Sequence, residues 1–265
     1  TGNATHSLKG GKLQTGVKTL PGLNKDATDR NRTSPFAFTG NKFEFRMLGS
    51  RDSAAAPNVV LNTIVAESLC ETCDMLEKAE DFDKAVHDII KEYATEHQRI
   101  VFNGNGYAQE WVEEAERRGL PNLSSMVDAI PALVSEDAIR MFEKFHVFTE
   151  AELRSRAEIK YEAYSKAVNI EARTMIDVAS KHIIPAVIRY TRTLAETVNA
   201  VTQAGAQAEV QLGLLNDTGR LLKEAKEALD ILIAETGKAS EMGEGEDQAR
   251  RFREHVVPAM DAPRR

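Results

Sequence analysis

Two periods of hydrophobic spacing divide this chain. Between Lys42 and Arg46 polar and apolar residues alternate strictly, with Phe43 and Phe45 set between Lys42, Glu44 and Arg46. Period-two alternation marks a strand, because successive side chains point to opposite faces. Phe36 and Phe38 alternate likewise after Pro35, and Gly40-Asn41 supplies turn chemistry between the two runs. The pattern predicts strands over 34–38 and 42–48, joined as a hairpin.

After Pro57 the spacing changes to three and four. Val60, Ile64, Leu69, Cys73 and Leu76 mark a helix over 59–78, and Phe82, Val86, Ile89, Ile90 and Tyr93 mark another over 82–102. A short helix over 109–118 is closed by Gly119 and Pro121. Ser135, followed by Glu136 and Asp137, caps the next one. Thr149 and Glu152 have capping-box spacing and open a helical pattern to about Ala200, which Pro185 should kink or divide. Leu212, Leu215, Leu222, Leu229 and Leu232 form a seam suited to a bundle core, with a hairpin expected near 216–219 beside Gly219. Residues 238–247, with Gly243 and Gly245, read as a mobile loop. The expected class is α+β, divided into 1–57 and 58–265: a few strands, then a large and mainly helical region.

Composition narrows the partners. The chain has 265 residues with 34 Lys+Arg against 41 Asp+Glu, a net charge of −7, and 42% hydrophobic residues, too apolar for a disordered chain. No stretch approaches the roughly 18 uncharged apolar residues that span a bilayer. Two cysteines exclude a disulfide scaffold and fit a reducing compartment, so a soluble, cytoplasmic protein is expected, with no membrane partner. The acidic total argues against nucleic acid. The chain opens at Thr1 without a methionine and stops abruptly at Arg265, which suggests a piece of something longer. Charge is uneven, because residues 1–51 hold nine basic groups and three acidic ones. A basic segment on an acidic protein suits an anionic small ligand, although a loop-rich stretch could be basic for no such reason.

The candidate chemistry lies in that segment. Lys42, Glu44 and Arg46 project from one strand face at steps of about 7 Å. A carboxylate between two cations could ligate a divalent ion while the cations neutralise phosphate or carboxylate. The same face could equally be a solvated strand with cross-strand ion pairs. Arg32, ten residues upstream of Lys42, would add a cation near the end of this surface if the strands pair. Cys70 and Cys73 have CxxC spacing but sit on an amphipathic helix without a second pair, and they read as core residues. The six histidines are scattered, and Gly104-Asn-Gly106 lacks the rest of a dinucleotide fingerprint.

The block Asp29-Arg-Asn-Arg-Thr-Ser-Pro-Phe-Ala-Phe-Thr-Gly-Asn-Lys-Phe-Glu-Phe-Arg46 closely resembles the type III glutamine synthetases. The resemblance continues through Pro57-Asn-Val-Val-Leu-Asn-Thr-Ile-Val-Ala-Glu67, Phe102-Asn-Gly-Asn-Gly-Tyr107 and Arg118-Gly-Leu-Pro-Asn-Leu123. It also covers Asn169-Ile-Glu-Ala-Arg-Thr-Met-Ile-Asp177 and Ile184-Pro-Ala-Val-Ile-Arg-Tyr190, and it runs essentially to Ala262. It implies ATP-dependent ligation of glutamate and ammonia through a γ-glutamyl phosphate, with Mg²⁺ or Mn²⁺, in a ring-shaped homo-oligomer. It also implies that the strands near Glu44 belong to the catalytic sheet. Carried over by position, Glu44 matches a metal ligand, Arg46 an arginine that holds the substrate, Arg32 an arginine on the transferring phosphate, and Lys42 a basic residue near the nucleotide. Ala37 departs from the better-known type I enzymes, which carry a second arginine there. The family's other metal carboxylates lie upstream of these motifs, so a C-terminal portion without activity of its own is expected. The rivals are a non-catalytic helical interaction module and a metal or redox protein built on Cys70 and Cys73.

Overall fold

The computed structural model describes residues 12–13, 23–24, 36–38, 43–45, 53–102 and 104–262. Within them the α+β expectation is overturned. Strand pairing amounts to two separate antiparallel ribbons: β1 (Lys12–Leu13) with β2 (Leu23–Asn24), and β3 (Phe36–Phe38) with β4 (Phe43–Phe45). Neither ribbon joins a larger sheet, and no strand occurs from residue 53 to residue 262. The described chain is therefore helical rather than a helical region on a piece of catalytic sheet. Ribbons of two and three residues are too short to carry a core of their own.

The chain divides into two compact units, Thr1–Asn122 and Leu123–Arg265. In the first, α1 (Ala55–Glu77) and α2 (Phe82–Glu96) are adjacent helices linked by a hydroxyl contact of 3.3 Å between Thr72 and Tyr93. Asp81 caps α2 by accepting from the Lys84 amide at 3.0 Å. That helix stops at Glu96, six residues short of the expected end, and a 3₁₀ turn over Gln98–Ile100 follows. α3 (Gln109–Arg117) ends as its sequence predicts. Gly119 adopts φ +69°, Leu120 donates to the Ala115 carbonyl at 2.9 Å, and Gly119 donates to Glu116 at 2.9 Å. This is a Schellman closure, which glycine enters without a Cβ penalty.

The second unit holds most of the buried residues among those described. The sequence pattern assigns no element to 122–134, yet α4 (Met126–Leu133) forms there with Pro131 inside it. Ser125 caps it by accepting from Val127 at 3.1 Å, and Val127 and Ile130 are buried. α5 (Glu136–Lys144) starts at Ser135 as expected, and Phe142 fixes it to the interior. α6 (Glu150–Val178) opens with the predicted capping box: Thr149 Oγ1 accepts from Glu152 at 3.3 Å, and Glu152 accepts from the Thr149 amide at 2.8 Å.

Pro185 falls where the long helical pattern divides, without ending the helical run. A π turn over Ala179–Ile183 carries α6 into α7 (Ile184–Gln203), with the Ile184 amide reaching back to Ala179. Proline has no N–H to give and its ring crowds the carbonyl four residues back, so one widened turn relieves both faults. The device recurs. α9 (Glu246–Arg251) passes through a π turn over Phe252–Val256 into α10 (Val257–Asp261), just before Pro258. Both turns carry histidine, two β-branched residues and proline: His182-Ile-Ile-Pro185 and His255-Val-Val-Pro258.

The expected hairpin near 216–219 lies ten residues earlier. Gly205, at φ +78°, closes α7 in a second Schellman arrangement, with Ala206 donating to Val201 at 3.2 Å. α8 (Glu209–Ser240) then runs unbroken through Gly213 and Gly219. Two mid-helix glycines cost about 1 kcal/mol each, and burial of Leu229 and Leu232 further along the same helix outweighs that. The seam is only partly interior, since Leu212 is 46% exposed. The expected loop over 238–247 shrinks to a short connection, because Gln248 donates to the Ala239 and Met242 carbonyls at 3.2 and 3.1 Å and satisfies the end of α8.

Two apolar clusters make the interior of this unit. Val168, Ala172, Leu232, Ala239, Phe252, Val256, Ala259 and Met260 form one. Val127, Ile130, Ala157, Tyr161 and Ala249 form the other. No described helix is long and apolar enough to cross a membrane.

Candidate functional site

The four sequence-derived site residues fall in the segment the structure describes least. Arg32, Lys42 and Arg46 lie outside the described residues. Glu44 is described as backbone only: it stands in the middle of β4, paired with Ala37 of β3.

The most elaborate polar arrangement among the described residues is a node at the end of α3. Arg118 follows the last residue of the helix, and its Nε donates to Glu114 Oε1 at 2.5 Å, one turn back. Its Nη1 donates to the Arg99 and Val101 carbonyls at 3.1 and 2.9 Å. The planar guanidinium also lies 5.9 Å from the Phe102 ring and 5.6 Å from the Trp111 ring. Those two rings stack at 4.3 Å with an interplanar angle of 25°. One side chain thus ties the 3₁₀ turn after α2, and the Val101 that follows it, to α3. Arg117 also holds Glu114, at 2.7 and 2.6 Å, and the Arg117 and Arg118 bonds together keep that carboxyl below its usual range.

The next segment needs its glycine. A Cβ on Gly104 would stand 2.5 Å from the Phe102 ring, so the ring closes over this position only when no side chain is there. Asn105 then accepts from the Tyr107 amide at 3.1 Å in an Asx turn and leads the chain into α3. The node is structural chemistry. It brings together no nucleophile and base, and its carboxylate is already spent on two arginines. Spacing alone gives Gly104 as a failed dinucleotide motif, and nothing in the pattern shows that Arg118, Phe102 and Trp111 meet.

The cysteines are not core residues. Cys70 is half-buried, Cys73 is exposed, and neither forms a disulfide. Their neighbour Leu69 is 59% exposed, so the expected burial among leucines fails. No group of three His, Cys, Asp or Glu among the described residues could hold a metal ion. Glu44 by itself does not make a metal site, and a divalent ion there would need further ligands from outside the described residues. Elsewhere ionisation is shifted by packing. Burial raises Tyr161 and Tyr164, and Glu235 is held low first by Lys238 and also by Arg251.

Known proteins share this sequence at length. The glutamine synthetase C-terminal domain matches residues 85–202. This part of the chain belongs to that family. A type-3 glutamine synthetase of Dictyostelium discoideum is 41% identical over 224 residues, which cover 83% of this chain and 30% of that protein. A glutamine synthetase of Butyrivibrio fibrisolvens is 36% identical over 92% of this chain and 35% of its own length. One from Bacteroides fragilis (strain YCH46) is 32% identical over 95% and 36%. The chain thus spans about a third of the length of the curated relatives it matches. The glutamine synthetase C-terminal match runs from α2 to α7 and includes the whole Arg118 node.

Proposed function

We propose that this chain is the C-terminal region of a glutamine synthetase that joins glutamate to ammonia at the expense of ATP. The observation that carries the reading is the family match over residues 85–202, with named synthetases similar over 83% to 95% of the chain. In this reaction the side-chain carboxylate of glutamate takes the γ-phosphoryl group, ADP leaves, and ammonia displaces phosphate from the γ-glutamyl phosphate. Such a transfer depends on positioning and on neutralising charge, and a bound Mg²⁺ or Mn²⁺ supplies part of that neutralisation.

The strand segment would provide one wall of the pocket. Arg46 would hold the glutamate carboxylate, Arg32 the transferring phosphoryl oxygens, and Lys42 the nucleotide side. Glu44 would contribute one oxygen ligand to the ion, beside carboxylates from the longer protein. A ring of like subunits is the expected assembly. Because the chain spans about a third of its relatives, the 265-residue polypeptide alone should release no phosphate from ATP in response to glutamate and ammonia.

The test is Glu44→Ala in a complete synthetase carrying this region, with phosphate release as the readout. Losing a ligand that stabilises developing charge by several kcal/mol should cost at least about a hundredfold in turnover. Unchanged turnover would remove Glu44 from the site. Glutamate- and ammonia-dependent phosphate release by the isolated chain would overturn the reading of it as one wall.

A further inference from the structure

The turn that leads into α3 contains a reactive pair. Asn105 is exposed and is followed by Gly106. Two bonds close the turn: Ala108 donates to the Asn105 carbonyl at 3.1 Å, and Tyr107 donates to Asn105 Oδ1 at 3.1 Å. Neither bond uses the Gly106 amide. The Asx turn folds the side chain toward the backbone that follows it. Closing the Gly106 nitrogen onto Asn105 Cγ makes a five-membered ring, and glycine brings no Cβ to crowd that approach. The Tyr107 N–H is aimed at Oδ1, the oxygen on which negative charge develops when a nitrogen adds to Cγ. A donor already in place there stabilises that charge without reorganisation.

No other asparagine among the described residues combines these features. Asn58, Asn62, Asn169, Asn199 and Asn216 lie inside helices, where the next amide is bound into the helical ladder. Asn24 and Asn122 are each followed by a residue with a long side chain, which hinders ring closure.

We propose that Asn105 is a self-modification site, which loses ammonia to give a succinimide and then isoaspartate or aspartate. The Gly106 nitrogen bonds to Cγ, the Cγ–Nδ2 bond breaks, and the proton given up by the Gly106 amide leaves with the ammonia. Water then opens the ring. Addition at Cγ gives aspartate. Addition at the Asn105 carbonyl carbon gives isoaspartate, whose main chain runs through Cγ and is one methylene longer. The two products differ in what they do to the Arg118 node. Phe102 closes over Gly104 and stacks on Trp111 at 4.3 Å, with residue 105 in the connection between the two rings. An added methylene changes the length of that connection, whereas aspartate keeps the main chain and an acceptor for the Tyr107 amide. The turn itself carries the proposal, which does not depend on synthetase activity.

The experiment is incubation of the 265-residue chain at pH 8 and 37 °C, followed by tryptic peptide mapping. Isoaspartate is read by methyl transfer from S-adenosylmethionine with an isoaspartyl methyltransferase. The peptide from Ile100 to Arg117 should gain about one dalton, with fragment masses placing the change at Asn105, and it should accept methyl groups. Gly106→Ala should slow the gain at Asn105 at least about tenfold with helicity unchanged. Asn105→Ser keeps an acceptor for the Tyr107 amide and has no amide to lose, so it gives the second reading if Gly106→Ala does not fold. It should abolish the change at this position. Trp111 emission should shift in step with isoaspartate and stay as in fresh wild type in Asn105→Asp. An unchanged peptide mass, a gain confined to Asn103, a rate at Asn105 at least tenfold below that of the urea-unfolded chain, or undiminished methyl transfer into this peptide in Asn105→Ser would each overturn the proposal.

Discussion

The two units are built from similar helices and solve different problems. From residue 53 to Asn122 the described chain buries Thr63, Ile89 and Ala115, and leaves Phe82, Leu69 and Ile90 about 60% exposed. The unit from Leu123 onward buries Phe142, Leu153, Leu232, Phe252 and Val256 almost completely. Its helices also interlock through the two π turns and the Gln248 cap. Among the described residues of the first unit, order comes from edges: the Asp81 cap, the Schellman closure at Gly119 and the Arg118 node. In the second it comes from an interior. Edge contacts contribute about 1 kcal/mol apiece, whereas one filled core position contributes several. Among the described residues, the second unit thus carries most of the buried interior.

The sharpest way to break that contrast is a pair of truncations. Phe252→Ala removes a ring that is 1% exposed at the centre of the larger cluster and should cost about 3–5 kcal/mol in urea unfolding followed by helicity. Leu69→Ala, on the open side of α1, should change stability by less than about 0.5 kcal/mol. If Leu69→Ala cost as much as Phe252→Ala, α1 would be covered in solution, and the contrast between the units would be false.

The node offers a smaller effect with a more specific signal. Trp111 is the single tryptophan of the chain, so its fluorescence reports on this place alone. Arg118→Ala strands the Arg99 and Val101 carbonyls and unstacks the cation from both rings, a loss of about 1–3 kcal/mol. Arg118→Lys should fail to restore it, because a point charge cannot reach Glu114 and two carbonyls in one plane. Gly104→Ala should displace the Phe102 ring and shift the Trp111 emission toward that of exposed indole. An unchanged spectrum in both Arg118→Ala and Gly104→Ala would mean that the node does not order this segment.

Much of this helical order is written locally, which is why it can be read from sequence. Ser135, Thr149 with Glu152, and Gly119 act within four residues of themselves, and each cap stands where its spacing puts it. The failures share a cause, since each depends on residues far apart. α8 passes through Gly219 because Leu229 and Leu232 are held against α6 and the segments after residue 245, which no local propensity reveals. At Pro185 the division itself was legible, but not its form, a π turn that carries α6 into α7. Pro131 sits inside α4, whose Val127 and Ile130 are buried in one cluster with Tyr161 of α6. The candidate site is the reverse case. Most of its residue types stand in an alternating pentapeptide, while the α+β class inferred from the two strand runs and the helical region after them does not hold for the described chain. Five residues are enough to propose chemistry on a charged strand face, whereas a sheet needs partners that five residues cannot name.

The smallest effect tests whether an edge contact in the well-packed unit remains an edge contact. Hydrogen bonds from the Thr149 amide and then the Thr149 hydroxyl hold the Glu152 carboxyl below its usual value. A carboxyl lowered in the folded state stabilises while ionised, so its contribution is complete above the unfolded value near 4.5 and is lost as pH falls through the lower folded value. Glu152→Gln keeps an acceptor at this position and removes the charge. The melting temperatures of wild type and Glu152→Gln should therefore differ by a constant amount from pH 6 to pH 8 and converge as pH drops below about 4.5. Solvent screening keeps the difference small, because the side chain is exposed. A gap that persists undiminished at pH 3 would mean that the glutamate acts through shape and not through its charge. The first turn of α6 would then belong with the interior that holds the rest of the unit.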